Sequence, residues 1–498
     1  MPRPLSASMR GRLVILAGLL VSLWSSGCRE SFPTGGMAVT QVPTGIPTAG
    51  GAEDLLDLRY PPGSRVVLVQ PPFTSGSEQV LSAGLSAAGG PVASADGTRI
   101  LFAGKAKAGG SWQIYEAQPG GKPARLLTAV AGGAMEPALL AGGELVFCSP
   151  VPNAANPWRP EKPAALYRQG PGGRVERLTF GASPAMDPTV LRDGKILFTS
   201  VRASSLGEER PRLGLFTINN DGTEFTHFAL EDHGAPLVRR PRESLSGTVA
   251  FLAAGTNQAR PKYAAEGVRM AKPFASRTPL FEFLVERCHS LEEDREGSWL
   301  ACIDAGASGK PEVRGSSAVY RIPPGSKVLG IPLFDNPEWD EVEAVPLMPK
   351  AALMGHLSTL MPEKSTGTIL CLNAFFSRPE AANSTAASKI HRIRILAQAG
   401  ANQLVALGEI TPQTDGSFLV TVPAEVPLGF EALDDQDQVI QRLPPSIWVR
   451  RGENRSCLGC HEPHNRSPQN IRPIAAGLPP VNLGDLKKAS LPVAPEYR

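Results

Sequence analysis

The chain lacks most of what hydrolases and nucleic-acid-binding proteins carry. Its 50 Lys and Arg nearly cancel its 47 Asp and Glu, leaving a formal net charge of +3 over 498 residues. No basic surface able to neutralise a phosphate backbone is expected, and so no nucleic-acid partner. There is no H-E-x-x-H and no G-x-S-x-G, which removes two large hydrolase groups. The stretch "DAGASGK" at 304–310 misses the first glycine at P-loop spacing. Charged residues are only 19 % of the chain, too few for many amphipathic helices with polar outer faces. In their place stand 51 glycines and 48 prolines, a composition that favours short strands joined by turns.

The first residues set the compartment. Arg3, Arg10 and Arg12 precede the apolar run "LVILAGLLVSLW", which ends in "SSGC" at Cys28. A charged start, an apolar middle and small residues before a cysteine resemble a bacterial lipoprotein signal. That resemblance implies cleavage before Cys28, lipid on its sulfur, and a membrane-anchored protein in the periplasm or at the cell surface. Residues 1–28 are then signal, and residues 29–60, rich in Gly, Pro and Thr, read as a flexible tether. Export permits disulfides. Of the seven cysteines, Cys148, Cys288, Cys302 and Cys371 remain once Cys28, Cys457 and Cys460 are assigned. Cys288 and Cys302 flank "HSLEEDREGSWLA", whose acidic tip reads as a solvated hairpin; a Cys288–Cys302 bridge is expected, with buried thiols as the alternative.

A repeat governs the next three hundred residues or so. A glycine turn followed by an apolar strand recurs as "DGTRILF", "GGELVF", "DGKILF", "SGTVAFL" and "EGSWLACI", led by Gly97, Gly143, Gly194, Gly247 and Gly297 at a spacing of about fifty residues. A second signature falls inside the same units: "IYEAQPGGKPARLLT", "LYRQGPGGRVERLTF" and "LFTINNDGTEFTHFAL". Each is a strand, a turn that needs positive φ, and a returning strand. Short strands at this period describe propeller blades, which bury both faces only by stacking in a ring. The expectation is an all-β protein with a β-propeller over 61–350; six blades are favoured, and five or seven fit the spacing. "PAMDPTVLRDGKILFTSVR" and "LFTINNDGTEF" resemble the repeats of TolB-like propellers, which implies architecture and not function.

After a linker at 351–365 the pattern changes. "GTILCLNAFF", "KIHRIRILAQ", "QLVALGEI", "GSFLVTVPAEVPLGFEALD" and "QVIQRL" alternate at period two, as half-buried strands do. They predict a small antiparallel β-sandwich over 366–450. The segment 451–498 then carries "CLGCH", with Cys457, Cys460 and His461.

Three chemistries compete for that motif. Two cysteines spaced to meet the two vinyl groups of haem, followed by a histidine beneath the metal, are the sequence sign of covalent c-type haem. A redox dithiol would want the cysteines at a helix N-terminus in a βαβ unit, and no such unit precedes them. A zinc site could use Cys457, Cys460, His461 and His464, but adjacent Cys460 and His461 are poor ligands to one ion. The leading reading is one haem c on Cys457 and Cys460, with His461 as iron ligand and His464 as its alternative; zinc is the competing metal.

The run from "GTILCLNAFF" through "DGSFLVTVPAEVPLGFEALDDQDQVIQ" to "WVRRGENRSCLGCHEPHN" resembles the middle domain of the hydrazine synthase alpha-subunit family, and the preceding propeller matches that family's order. The resemblance implies a c-type haem on Cys457 and Cys460. In hydrazine synthase itself the motif's imidazole binds zinc, and a tyrosine four residues later ligates the iron. Here that position is Asn465, so His461 returns as the expected ligand. The enzyme also carries a further domain with a second haem, and this chain ends soon after the motif. Hydrazine synthesis is therefore not expected.

Arg450, Arg451, Arg455 and Arg466 bracket the motif and suit haem propionates; solvated arginines are the alternative. Met348, Met354, His356 and Met361 supply candidates for a distal ligand. Three functions follow. The first is a haem lipoprotein in electron transfer or redox sensing, with a redox protein as partner. The second is a haem-dependent oxidoreductase acting on a small molecule between haem and propeller. The third is a propeller-based binding protein with a structural haem. A Met or His at the sixth iron position would favour the first.

Overall fold

The computed structural model describes residues 32–44, 60–150, 164–181, 183–202, 212–229, 237–254, 264–283, 285, 287–304, 317–351, 353–376, 390–399, 403–459 and 472–484. Cys28 and the signal lie outside them. Strands and short 3-10 turns make up the regular structure of the described residues, and no α-helix occurs among them.

Six sheets form a closed ring in which each innermost strand touches the next. Blades 2 to 5 each take four consecutive strands, beginning at Ala87–Ala93, Met135–Leu139, Ala185–Val190 and Leu237–Glu243. Blade 6 has Arg287–Glu293, Trp299–Asp304 and Ser317–Ile322, with Phe334 bridging Val319 beside the third. Blade 1 is composite: Trp339–Pro346 is innermost, and Met37–Pro43, Arg65–Val69 and Gln79–Val80 complete it. Two ends of the chain thus share one sheet and close the ring.

This corrects the tether reading for part of residues 29–60. Met37–Pro43 is a strand paired on both edges, to Arg65–Val69 and to Trp339–Pro346, and six of its seven residues are buried. Its short sequence, "MAVTQVP", offers apolar and β-branched side chains to both faces. The Gly, Pro and Thr content around it hides that signal. Inside this closure Glu341 is fully buried and accepts one hydrogen bond from Gln41 Nε2 at 2.9 Å. Burial pushes its carboxyl from an ordinary 4.5 to about 8.

The five signature glycines occupy one equivalent position. Gly97, Gly143, Gly194, Gly247 and Gly297 all have φ between 72° and 87°. Each donates its N–H to the carbonyl three residues earlier, in the turn between the first and second strands of its blade. Only glycine adopts that φ without cost. The strand that follows delivers one large side chain inward: Phe102, Phe147, Phe198 and Phe251 are essentially fully buried. In blades 2, 3 and 4 this phenylalanine faces an aromatic partner across the ladder, Tyr115, Tyr167 and Phe216, with ring centroids 6.0–6.2 Å apart. Each such buried ring contributes roughly 2–3 kcal/mol.

The hairpin of blade 6 does not carry the expected disulfide. Cys288 and Cys302 are both free and buried. The ladder sets Cys288 opposite Ile303 and Cys302 opposite Ser290, after a bulge at His289. Cys288 consequently packs into the large ring core and Cys302 into the core of blade 1, on the other face of the sheet. Burial pushes the Cys288 thiol up to about 12, as expected of an inert core cysteine.

The second domain is a sandwich of two four-stranded sheets. One runs Leu404–Ile410, Arg392–Gln398, Leu428–Leu433, Val439–Ile447; the other runs Asn454–Cys457, Thr366–Cys371, Phe418–Pro423, Val481–Asn482. Ile369, Ile393, Ile395, Val420, Val422 and Leu428 fill the space between them. The domain therefore reaches past residue 450. The two outer strands of the second sheet come from the segment expected to be loop and tail, and both pair in parallel.

Candidate functional site

The motif begins inside the sandwich. Cys457 is the last residue of the edge strand Asn454–Cys457, half-buried, and stands opposite Cys371 in the parallel pairing with Thr366–Cys371. The hydrogen bonds Thr368 N–H to Glu453 O (2.8 Å) and Leu372 N–H to Cys457 O (2.9 Å) fix the register at both ends. The next residues are pressed down as well. Asn373 N–H donates to Leu458 O at 3.2 Å, and a Cβ on Gly459 would lie 2.2 Å from Phe376 O. Sequence spacing located Cys457 but gave no hint of Cys371 as its neighbour. Cys460, His461, His464 and Arg466 lie outside the described residues.

The three described arginines before the motif are engaged by protein partners. Arg450 is 1 % exposed and crosses into the propeller, donating to Arg177 O at 2.5 Å and pairing with Glu176. Arg455 donates to Trp448 O at 3.4 Å and to Phe225 O. Arg451 pairs with Glu425 at 3.0 Å within the sandwich. Burial and the carbonyls of Arg177 on blade 3 and Phe225 on blade 4 explain the choice, because a guanidinium satisfies several acceptors at once. Trp448 completes the joint: its ring stacks on Phe225 at 4.4 Å between centroids, and Nε1 donates to Gly222 O at 3.2 Å. Glu453 accepts from Arg450 N–H at 2.6 Å and Glu224 N–H at 2.9 Å, although burial still pushes its carboxyl up.

The linker is a strap over the propeller face. Lys350 N–H binds Ala95 O, Met354 N–H binds Arg192 O, and Ser358 Oγ donates to Asp221 Oδ2 at 2.7 Å. Burial would raise the Asp221 carboxyl, but hydrogen bonds from Thr223 and Ser358 outweigh it and hold it low. The candidate distal ligands do not converge. Met348 is buried beside Gly97 of blade 2, while Met354 and His356 are exposed near blade 4. Met361 alone reaches the sandwich, against Gly452.

Sequence reasoning missed the propeller channel. A small cavity of about 40 Å³ there is lined by residues of all six blades. Its walls are the bulges Gly90-Pro91, Glu136-Pro137, Asp187-Pro188 and Arg240-Pro241, each with a positive φ before proline. Arg240 pairs with Glu343 at 2.7 Å, Arg239 with Asp187 at 2.5 Å, and Arg242 with Glu292. Lys350 of the strap also reaches Glu292, at 3.1 Å. Burial would raise the Glu292 carboxyl, but Lys350 and Arg242 outweigh it and hold it low. The X-Pro dipeptides recur at the blade period, a signal that could have found this ring.

Residues 360–462 match the family model described as hydrazine synthase alpha subunit middle domain. The structure of hydrazine synthase from Kuenenia stuttgartiensis aligns with a TM-score of 0.76 at 18 % identity, covering 90 % of this chain and 71 % of that one. TolB from Acinetobacter baumannii aligns with a TM-score of 0.36 at 11 % identity, covering 54 % of this chain and 61 % of that one. No curated protein sequence matches. Residues 360–462 are thus similar to the hydrazine synthase alpha-subunit middle domain, and the chain shares the fold of the Kuenenia stuttgartiensis enzyme over most of its length.

Proposed function

We propose that this is an exported, lipid-anchored protein carrying one covalent c-type haem and working in electron transfer or redox sensing. One observation carries the reading: Cys457 ends a strand whose register is pinned and which is outermost in its sheet among the described residues, with Cys460 and His461 next in sequence. That setting fits the group. A sheet edge leaves one side open, and the donor set of two thiols and an imidazole is that of covalent haem. Cys457 and Cys460 would hold it by thioethers, and His461 would bind its iron, with His464 as the alternative. Bound there, haem would supply reversible one-electron exchange. The similarity to hydrazine synthase supports a redox role. It does not extend to hydrazine synthesis, because Asn465 stands where that resemblance expects a tyrosine.

The oxidoreductase reading is weaker. It needs a pocket between haem and propeller, and among the described residues Trp448, Phe225 and Arg450 fill the contact between sandwich and propeller. A membrane anchor through Cys28 and a redox protein partner complete the proposal; Cys28→Ser should move the protein from membranes to the soluble fraction.

Expression in a host with c-haem attachment machinery tests the core claim. The protein should be red, keep its colour through acid-acetone extraction, and give a c-type pyridine haemochrome. Cys457→Ala and Cys460→Ala should each abolish or weaken attachment. His461→Ala should alter the iron spectrum more than the yield, and His464→Ala should do little. Stoichiometric zinc with no haem would overturn the proposal.

A further inference from the structure

The two halves of the molecule hold cysteine neighbours in opposite ways. Cys288 and Cys302 sit on adjacent strands but on opposite faces. Cys371 and Cys457, both thiols in this structure, sit on adjacent strands, directly opposite, and on the same face: Cys371 lies in the sandwich core and Cys457 packs against that core. In a sheet, residues directly opposite point the same way. Adjacent strands lie about 4.8 Å apart, inside the Cα separation of roughly 4.4–6.8 Å that a disulfide spans. The register cannot drift, because the hydrogen bonds at Glu453 and Leu372 and the close seat of Gly459 hold both strands together.

We propose that Cys371 is the redox partner of Cys457: in the haem-free chain the two form a reversible disulfide across the paired strands, and that bond withholds Cys457 from haem attachment. The first half stands on the strand pairing; the second rests on the haem reading above. Formation is thiol–disulfide exchange with a small disulfide such as oxidised glutathione. Cys457, half-buried where Cys371 is 2 % exposed, attacks first as thiolate and releases one reduced thiol. Cys371 then attacks the mixed disulfide at the Cys457 sulfur and releases the second. Two protein thiols lose two electrons and two protons, and one small disulfide becomes two thiols. A dithiol reductant reverses the step and returns Cys457 for thioether formation.

The test uses the full chain made without attachment machinery, treated with oxidised glutathione, alkylated and mapped by non-reducing peptide mass spectrometry. The expected product is one peptide pair joining Cys371 to Cys457, lost on reduction and absent from Cys371→Ser and from the closer-packing Cys371→Val. A Cys457–Cys460 link with Cys371 alkylated only after unfolding would overturn the disulfide. In an oxidising host that does attach haem, Cys371→Val should raise the haem-loaded fraction several-fold over wild type. Equal loading of the two would overturn the withholding role. A Cys371–Cys457 link in protein that never binds haem would instead sink the haem reading and leave the disulfide standing.

Discussion

Blades 2, 3 and 4 repeat one device. A left-handed glycine opens each second strand, and a buried phenylalanine meets an aromatic ring across the ladder. The sandwich repeats nothing. Its motif strand pairs in parallel with a strand 86 residues earlier, Thr368 against Asn454. The propeller is a sum of similar local units, so damage to one blade is met by its neighbours. The sandwich is held in place by single contacts, chiefly Arg450 and Trp448. The difference predicts where the molecule can be taken apart.

The largest effect should follow Arg450→Ala. This removes a buried guanidinium from Glu176 and the Arg177 carbonyl, a type of loss that costs about 3–5 kcal/mol. Urea unfolding should resolve into two transitions, with the sandwich lost from the propeller first. A single unshifted transition would mean that the joint rests on Trp448 and Phe225 instead.

A smaller effect tests the ring closure. The Glu341 carboxyl titrates near 8 in the folded protein and near 4.5 when unfolded. Between those pH values the folded state keeps a proton that the unfolded chain has released, so stability should fall as pH rises across that window. Below it the stabilisation is fully present. Glu341→Gln should flatten this part of the Tm profile and raise Tm at pH 8 by an amount worth on the order of a few kcal/mol. An equally steep profile in the variant would place the titration elsewhere.

The smallest effect separates two equivalent glycines. Gly194→Ala should cost about 2 kcal/mol, for its φ of 87° and for a Cβ only 2.5 Å from Met354 O of the strap. Gly143→Ala, at φ 80° with open space around it, should cost about 1 kcal/mol. Equal losses by thermal melts would show that the strap yields freely.

The repeat made the propeller legible. Glycine turns and the apolar strand after them are local, and local rules act within a few residues. The same locality hid the closure. Met37–Pro43 finds its partners at 65–69 and 339–346, and nothing in its seven residues names either. Cys288 and Cys302 read as a bridge because spacing reports hairpins but not which face each residue takes; one bulge at His289 put them on opposite sides.

By itself the sequence determined the all-β class, the blade period and the Cys457-x-x-Cys460-His461 motif, because each is written in short-range spacing of turns, apolar residues and ligands. Tertiary structure alone decided that residues 37–43 close the ring, that Arg450 and Arg455 bind blades 3 and 4, and that Cys371 lies across from Cys457. Those outcomes depend on which distant strands find the lowest free energy together. Backbone hydrogen bonds are open to any pair of strands, so the choice falls to how side chains from distant segments bury together.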